Sequence, residues 1–555
     1  MPRPRPVRTP RRLRTPPVGD NRRVRSFRGA WSLAGLAAGA AGLATSYFVA
    51  MAMTIRESPV VAVAELVIRL TPGWLAEYLI GLVGRLDKPL LLLGIFVFCG
   101  LLFAWAGRLA RRIWWAPTLV YAALAAVGAV GVATQRGATL TDHIPVAVGF
   151  VTWLVTLSLL TEPLRRGELA AAHELVTVPG EARVESLDLV GGGGEAELAP
   201  PEHTRRSFLL RAGVVAAGAA VLTTVGRVVG RGRRRVEESR RLLRLPQVSE
   251  PRVPASARVG LDGVAAWQTR NDDFYLIHTA IVVPTIEPRD WQLRIHGMVD
   301  REITLTYSDL VERRFDEAWM TLNCVSNEVG GSLVGNAWWS GVKTADLLTL
   351  AGVDAGADAV LQTSEDGWTC GTPLAALTDE RNAMLAVAMN GQPLPIEHGF
   401  PVRTVVPGLY GYVSACKWVV DWEVTRFEDI TAYWTERGWG ERGPVKIASR
   451  IDVPRSGDEV AAGQVAFGGV AWMQHTGISG VEFQVDRGPW TRAEIGQVET
   501  LDTWVQWKGV VDVEPGDHLV QVRAIDADGN VQTGVDRGVL PDGATGWHQV
   551  DFTAS

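Results

Sequence analysis

Three short stretches of the chain combine residue types that can bind metals or anions. In the first, residues 321–331, Cys324 stands where an apolar strand meets a polar, glycine-rich turn. Such a turn can expose a thiolate and lets a large ligand approach the backbone. Lone cysteines are more often buried core thiols, so its chemistry alone leaves Cys324 open as a metal ligand, a nucleophile or a core residue.

The other two stretches carry cations. His398 and Arg403 are separated by a Gly-Phe-Pro turn, and an imidazole held beside a guanidinium suits a phosphate or another anion. Residues 407–418 are rich in glycine and contain Ser414 and Lys417, which could cradle a phosphate. The plainer alternatives are a loop histidine with a surface arginine, and a glycine-rich connection into the next strand.

The elements that position these residues belong to a chain of two contrasting halves. Its 555 residues are too many for one domain, and residues 29–161 are dominated by Ala, Leu, Val and Gly. The apolar stretches in this half each approach the ~20 residues that cross a bilayer as a helix. They lie near 30–53, 87–107, 114–134 and 144–161.

Charge placement predicts the topology of this half. Residues 1–28 form a basic arm, expected to be disordered and to lie on anionic membrane lipid in the cytoplasm. Arginines after the second and fourth apolar stretches keep those ends inside as well. The sequence therefore predicts a four-helix transmembrane region over 29–163, followed by a flexible linker over 164–203.

A further apolar run over 204–232 begins with Arg205 and Arg206, followed by Ser-Phe-Leu. This pattern is typical of a twin-arginine export signal, although here it is internal, and the alternative is a simple fifth transmembrane helix. Either way the run adds a fifth crossing. We expect everything after residue 230 to lie on the extracytoplasmic side of a bacterial cytoplasmic membrane.

The remaining residues are those of a soluble protein. After a linker over 233–262, residues 263–444 mix strand and helix patterns. Residues 445–555 are nearly all alternating strands with turn signals, which predicts an immunoglobulin-like β-sandwich. The formal net charge of −5 argues against a general nucleic-acid binder.

Taken together, the motifs resemble the molybdopterin-binding domain of the sulfite-oxidase family. They follow in the order Asp-Phe-Tyr, Cys, Asp-Gly-Trp, His-Gly-Phe-Pro-Val-Arg and Gly-Tyr-Val-Ser-Ala-Cys-Lys-Trp. The resemblance covers about 263–440, and the C-terminal strands resemble the dimerisation domain of the family. It implies a multi-domain protein with an all-α transmembrane region, an α+β molybdopterin-binding domain and an immunoglobulin-like domain.

The resemblance also implies roles for single residues. Cys324 matches the thiolate that ligates molybdenum, and the other sulfur ligands come from the molybdenum–molybdopterin cofactor itself. Residues that match cofactor contacts of the family are Asp272, Tyr275, His278, Thr363, His398, Arg403, Ser414 and Lys417. Two further residues are candidates for the catalytic centre: Glu328 as a proton carrier and Trp368 as a wall of the substrate pocket, where the alternative for Trp368 is a core position.

Departures from the family pattern bear on the substrate. Sulfite oxidases carry arginines soon after the cysteine, and here Glu328 and Val329 stand at those places. A carboxylate there would repel an oxyanion, so we expect oxygen-atom transfer with a small substrate other than sulfite. The alternatives are a sulfoxide-type reductase and a non-catalytic membrane scaffold. The expected partners are an external electron carrier, a cytochrome or a quinone-linked protein, and a second copy of the chain bound through the C-terminal domain.

Overall fold

The computed structural model describes residues 21–53, 55, 57–83, 86–176, 201–229 and 232–555. They form two compact units. The first, the helical unit, comprises the chain up to Val63 together with Pro89–Ala133 and Thr139–Val229. The second, the large unit, comprises Ala64–Lys88, Thr134–Ala138 and Gly230–Ser555.

The described helices occupy mainly the first half of the chain. They are α1 (Asn21–Ala52), α2 (Pro59–Leu70), α3 (Gly73–Val83), α4 (Asp87–Arg112), α5 (Ala116–Ala133), α6 (Ile144–Val176), α7 (Pro201–Val229), α8 (Gly232–Leu242), α9 (Tyr307–Val311), α10 (Thr344–Ala351), α11 (Leu374–Thr378) and α12 (Gly411–Ser414).

Five of the described helices are long and apolar enough to cross a membrane, namely α1, α4, α5, α6 and α7. Glycines let their backbones approach closely in the helical unit. A Cβ atom on Gly35 of α1 would collide with the backbone of Phe103 in α4, and one on Gly107 of α4 would collide with Trp31. Small residues at helix contacts are typical of membrane bundles, where close packing replaces the hydrophobic effect.

Three predicted boundaries need correction, because helices extend into segments expected to be irregular. The basic arm is shorter than 1–28, since α1 begins at Asn21, while residues 1–20 lie outside the described residues. The linker predicted from residue 164 starts later, since α6 continues to Val176. Glu168 on this extension accepts a hydrogen bond from Trp31 Nε1 at 3.0 Å and forms an ion pair with Arg111 at 2.9 Å, so tertiary contacts stabilise it.

The remainder of that linker, residues 177–200, lies outside the described residues. The linker predicted over 233–262 begins instead with α8. Val236 on this helix is buried in a core that also contains Phe274 and Trp339. One buried apolar residue among arginines was too weak a periodic signal to predict the helix.

The strands all lie in the large unit. They are β1 (Gln292–Gly297), β2 (Ile303–Thr306), β3 (Asp316–Asn323), β4 (Val334–Lys343), β5 (Ala359–Ser364), β6 (Thr369–Pro373), β7 (Met384–Met389), β8 (Gln392–Pro393), β9 (Arg403–Val405), β10 (Val419–Thr425), β11 (Ala448–Val453), β12 (Glu459–Val460), β13 (Gly463–Trp472), β14 (Ile478–Val485), β15 (Thr491–Arg492), β16 (Glu494–Ile495), β17 (Val505–Val513), β18 (Gly516–Asp526) and β19 (His548–Ala554).

Two sheets build the mixed α+β part. One has the order β2–β1–β10–β5–β6, with β1 and β10 parallel and the other neighbours antiparallel. The other has the order β3–β4–β7–β8, with β9 also paired to β7. Buried side chains of both sheets, among them Trp422 and Leu385, share one core. The motif residues therefore sit on the ends of strands that a common core holds in place.

The C-terminal strands form two further sheets with a core of their own. Their orders are β11–β13–β17–β16 and β12–β19–β18–β14–β15. Phe467 and Trp507 of the first sheet pack with Phe483 and Phe552 of the second. The predicted β-rich C-terminal domain is thus confirmed as two sheets around one apolar layer.

Candidate active site

Cys324 follows directly after β3 in a turn that is fixed by hydrogen bonds. Its N–H donates to Leu333 O at 2.9 Å, and its carbonyl accepts from Asn327 N–H at 3.1 Å. The Asn327 side chain accepts from Leu333 N–H at 2.7 Å, which closes the turn. The Cys324 side chain is 9% exposed. A cysteine held this firmly can serve as a positioned ligand.

The surroundings of Cys324 act on its thiol in opposite directions. Burial raises the pKa of Cys324, while hydrogen bonds from Ser326 and the charge of Lys417 favour the thiolate. Burial is the largest effect, so the bare site holds a neutral thiol. A bound soft metal cation would shift the balance to the thiolate, the form that ligates metals.

Arg403 and Lys417 bring the second and third motifs together. They face each other in an isolated antiparallel bridge. Gly399, at φ 110°, makes the approach feasible, because a Cβ atom there would lie 2.9 Å from Arg403 Cβ and 3.2 Å from Lys417 Cα. Replacing this glycine would thus strain the backbone and push the two cations apart.

Arg403 is buried and Lys417 half-buried, and both donate to backbone carbonyls. Arg403 is 5% exposed, and its Nη1 donates to His398 O at 3.2 Å. Lys417 Nζ donates to Glu397 O at 3.0 Å. Burial lowers the pKa of Arg403 to about 10 and lowers that of Lys417 strongly, with Arg403 contributing to the latter. Among the described residues no carboxylate lies within ion-pair distance of either cation. Both positive charges are therefore available to bind an anion.

Two histidines next to these cations are neutral. Burial and the charge of Lys417 lower the pKa of His398 and that of His278 to about 3. His398 Nε2 lies 3.0 Å from Asn271 O, so Nε2 carries the proton and Nδ1 is left as an acceptor. His278 packs its ring edge against Trp418 at 5.9 Å. Neutral rings beside these cations offer polar contacts without adding charge.

Tyr275 links Cys324 to the cations. Its ring stacks on Phe274 with 5.2 Å between centroids. Burial and the nearby Cys324 raise the pKa of Tyr275, whereas Arg403 lowers it. The phenol therefore stays protonated and can donate a hydrogen bond. The structure thus brings together six of the predicted residues: Cys324, Tyr275, His278, His398, Arg403 and Lys417.

Three other residues predicted to contact the cofactor are not among these six. The Ser414 hydroxyl donates to Tyr410 O at 3.0 Å, within the turn of its own helix. Thr363 is half-buried in β5, opposite Asp421 in the sheet register. Asp272 is exposed. Their roles as cofactor contacts remain predictions.

The two predicted catalytic side chains border different cavities. Glu328 is exposed and lines a cavity with Asn323 and Tyr410. Trp368 is half-buried and lines a second cavity with Asp366. Cys324 itself is not part of either wall, although the first cavity is bordered by its neighbour Asn323. The catalytic roles of Glu328 and Trp368 both remain predictions.

Sequence reasoning missed two contributors. Asn271 takes part through its backbone carbonyl, which no sequence motif reveals. Lys88 lies far from the motifs in sequence, yet its Nζ donates to His278 O at 2.7 Å. A signal for Lys88 existed, because it is one of only five lysines and begins an otherwise apolar helix.

Comparison with known proteins identifies the fold of this site. Residues 280–434 match the family described as "Oxidoreductase molybdopterin binding domain". The uncharacterized oxidoreductase YuiH of Bacillus subtilis (strain 168) is 35% identical over 176 residues, which cover 32% of this chain and 85% of that protein. Mitochondrial sulfite oxidase of Mus musculus is 30% identical over 323 residues, covering 48% of this chain and 58% of that protein.

Among solved structures, the sulfane dehydrogenase SoxCD from Paracoccus pantotrophus aligns with 53% of this chain and 84% of its own, at 21% identity and a TM-score of 0.45. The chain spans less than two thirds of the mouse sulfite oxidase that it matches, namely 58%.

The cluster fits the cofactor of this family on its own chemistry. A buried thiol offers a soft ligand for molybdenum, and the charges of Arg403 and Lys417 lack carboxylate partners in the described residues, as a site for an anionic pterin phosphate requires. The chain belongs to the sulfite-oxidase family of molybdopterin-dependent oxidoreductases, and its cofactor is molybdenum–molybdopterin.

Proposed function

We propose that the enzyme transfers an oxygen atom to or from a small uncharged substrate bound in the cavity beside the Cys324 turn. The observation that carries this proposal is the composition of the cavity wall. Glu328 is the only charged residue that lines it, and it is acidic. The polar remainder is neutral: Asn323, Asn327, Tyr410, Ser449, Gln532 and Thr545. A wall without cations favours neutral molecules over oxyanions.

Trp472 gives this wall a hydrogen-bond donor that is still free. Its side chain is 2% exposed, and its Nε1–H has no acceptor among the described residues. An unsatisfied buried donor costs roughly 1–3 kcal/mol, so an incoming oxygen atom would be bound there favourably. A substrate with an S=O or N–O group supplies such an oxygen without a net charge. This donor favours the sulfoxide-type reductase among the alternatives.

Tyr410 provides a second donor on the same wall. Burial raises the pKa of Tyr410 to about 12, so the phenol keeps its proton near neutral pH. Its oxygen accepts from Lys446 N–H at 3.3 Å, which leaves the hydroxyl proton for another acceptor. Together, Trp472 and Tyr410 would orient a substrate oxygen, while the exposed Glu328 exchanges protons with water.

The residues of the chain contribute to the reaction by holding the cofactor. When bound, the cofactor supplies two-electron oxygen-atom transfer. Cys324 holds the metal, and Arg403 and Lys417 neutralise the anionic end of the pterin. His398 and Tyr275 add neutral hydrogen-bonding groups. A rigid turn at Cys324 keeps the reacting centre in a fixed position relative to the cavity.

The decisive experiment is a substrate screen on purified protein whose molybdenum content has been measured. With a reduced artificial donor, we expect turnover of neutral sulfoxides or N-oxides. With an oxidised artificial acceptor, we expect only weak oxidation of sulfite. Turnover of sulfite as efficient as that of the best neutral substrate would refute the proposed substrate class. Protein that lacks molybdenum after expression with an intact cofactor supply would instead favour the non-catalytic scaffold.

We further propose that the large unit lies on the extracytoplasmic side of the membrane. Residues 64–88 and 134–138 each connect two candidate spans, and residues 230–555 follow the last one. If each candidate span crosses once, all three segments emerge on the same side. Their membership of one compact unit supports this count. The basic N-terminal arm and the Arg205-Arg206 pair support the outer side.

Protease digestion of intact spheroplasts tests this topology. We expect the C-terminal half of the wild-type chain to be cleaved, and expect a variant with Arg205 and Arg206 both replaced by Lys to be protected or not exported. Protection of the wild-type domain would refute the outer location. The proposal has four further parts. The electron partner is an external cytochrome or quinone-linked carrier, and the basic arm contacts membrane lipid. Residues 445–555 have an immunoglobulin-like topology and form a homodimer.

A further inference from the structure

Lys88 contacts His278, one of the residues predicted to bind the cofactor. It lies in the first turn of α4, yet it belongs to the large unit. Its Nζ lies 2.7 Å from His278 O, 2.7 Å from Ala280 O and 3.2 Å from His278 Nδ1. An ammonium group has three protons, and each of them therefore has one acceptor in this arrangement.

This arrangement selects the tautomer of His278. Since Lys88 donates to Nδ1, that nitrogen cannot carry a proton, and the proton of the neutral ring resides on Nε2. Ala280 O also lies 3.1 Å from Nδ1, but a proton on Nδ1 directed at this oxygen would leave the third Lys88 proton without an acceptor and facing an N–H group. Among the described residues, Nε2 has no acceptor. His278 is thereby prepared as a hydrogen-bond donor.

The neighbours of His278 indicate which group its Nε2–H would contact. The His278 ring packs against Trp418, and Lys417 Nζ lies 5.1 Å from the centroid of the same Trp418 ring. His278 is thus part of the cation cluster that would hold the anionic end of the cofactor. A donor N–H there adds a contact to an anion without another buried charge.

Residues 64–83 and 134–138 also contact this part of the large unit. Ile68 and Arg69 of α2 line the second cavity together with Thr279, Ala280 and Trp368. Arg437 Nη2 donates to Arg69 O at 2.7 Å, which ties α2 to the large unit.

The other segment is held similarly. Arg136 Nη1 donates to Ser364 O at 3.2 Å, and its Nη2 lies 3.7 Å from Asp421 Oδ2. Neither segment falls within residues 280–434, the part that matches the family.

We propose that Lys88 is a positioning residue of the molybdopterin site, and that residues 64–83 and 134–138 form a cover that retains the cofactor. The inference rests on the cofactor assignment. Lys88 acts through His278, and the cover slows release of the pterin.

Cofactor retention in detergent-purified full-length protein tests the role of Lys88. Lys88→Met keeps the length of the side chain but removes every donor. Substitution of residues that orient the ligands of a metal site costs roughly 10–100-fold in affinity, and we expect pterin release on dilution to accelerate by about tenfold. The released pterin is measured by its fluorescence after oxidation. Lys508→Met, which removes a lysine paired with Glu494 in the C-terminal sheets, is the matched control and should release pterin at the wild-type rate.

Equal release from the Lys88→Met variant and the wild type would overturn the inference and leave the proposed function intact. Wild-type protein without pterin would overturn both. Hydrogen exchange of the wild type provides a second measurement that does not depend on the variant folding. We expect peptides from 64–83 to exchange more slowly in loaded than in cofactor-depleted protein. Identical exchange in the two forms would refute the cover.

Discussion

Two polar regions border the Cys324 turn, and they differ in charge. The cofactor region concentrates the buried Arg403 and the half-buried Lys417 and Lys88 without a carboxylate partner among the described residues. The cavity on the side of Asn323 has no cation in its wall and one carboxylate, Glu328. Positive charge is thus placed where a permanent anion must be held and left out where substrates enter. The site can hold an anionic cofactor tightly without selecting oxyanions as substrates.

The largest effect should come from the residue that both regions share. Cys324→Ser replaces a soft ligand by a poor one, so we expect turnover to fall at least 100-fold and the molybdenum spectrum to change. The serine is nearly isosteric, so the circular dichroism spectrum and melting temperature should remain close to those of the wild type. Cys99→Ser, in α4 and outside both regions, is the control. Full turnover in Cys324→Ser would contradict the ligand assignment.

Removing charge from the cofactor region should affect retention rather than substrate choice. Arg403→Met removes a charged hydrogen-bond donor, typically worth about 1.5–3 kcal/mol, which is roughly 10- to 100-fold in cofactor affinity. We expect a lower molybdenum content, with an unchanged KM for the fraction that is loaded. Atomic absorption and steady-state kinetics measure the two quantities.

Arg294→Met is a suitable control for this substitution, because Arg294 pairs with Glu302 on the surface of the same domain. A variant at Arg403 that keeps its metal but changes its KM would show that the guanidinium serves the substrate instead.

The substrate cavity can be examined by adding the charge that it lacks. The wild type should oxidise sulfite with a kcat/KM below ~10⁵ M⁻¹s⁻¹, since the loss of two charged partners costs on the order of a hundredfold. Glu328→Arg reverses the only charge in the wall. We expect its sulfite kcat/KM to rise about tenfold, with neutral sulfoxides changing less than about twofold.

Glu312→Arg, an exposed position on α9, controls for the change in net charge. An equal gain in both variants would reveal general attraction, and efficient sulfite oxidation by the wild type would show that the cavity binds oxyanions after all. Arg381 is held away from this cavity, because it pairs with Asp379 at 2.8 Å and donates to Pro407 O at 2.9 Å. We therefore do not expect Arg381 to supply a positive charge that binds sulfite in this cavity.

The contrast between the two regions also shows what the sequence could predict. Cys324 and Arg403 could be predicted because a thiol can bind a metal and a guanidinium can bind an anion, and because each lies in a short motif. The structure brings the two residues together. Apolar stretches of suitable length predicted five candidate spans, because crossing a bilayer imposes a simple composition. Strand alternation in the same way predicted the β-rich C-terminal domain.

Features that arise from distant packing escaped prediction. Lys88 reaches His278 across 190 positions of sequence, and Trp472 enters the cavity wall from the C-terminal sheets. The helices α8 and the end of α6 form because Val236 and Glu168 find tertiary partners, which local periodicity does not encode. Such contacts depend on the arrangement of elements, which no single stretch of sequence specifies.

The smallest expected effect concerns the wall of the substrate cavity and leaves the cofactor region unchanged. His548 Nδ1 accepts a hydrogen bond from Ile451 N–H at 3.0 Å, and its ring packs against Gly330, where a Cβ atom would overlap it. Burial, with the charge of Arg450, lowers the pKa of His548 from its ordinary value of 6.5, while Asp452 opposes the shift. The folded protein therefore keeps this ring neutral at a pH where the unfolded chain binds a proton.

Stability must consequently fall as the pH drops below about 6.5, because the unfolded state takes up more protons there. The test is to measure the melting temperatures of full-length wild type and His548→Gln between pH 7.5 and 5.5 by intrinsic fluorescence. Glutamine keeps an acceptor for Ile451 but does not titrate, so its melting temperature should fall less on acidification. Each kcal/mol corresponds to roughly 2–4 °C for a unit of this size. If the melting temperatures of the two proteins fall in parallel with pH, His548 is not the source of the pH dependence. Cofactor content should be equal in both proteins, because the cation cluster lies elsewhere.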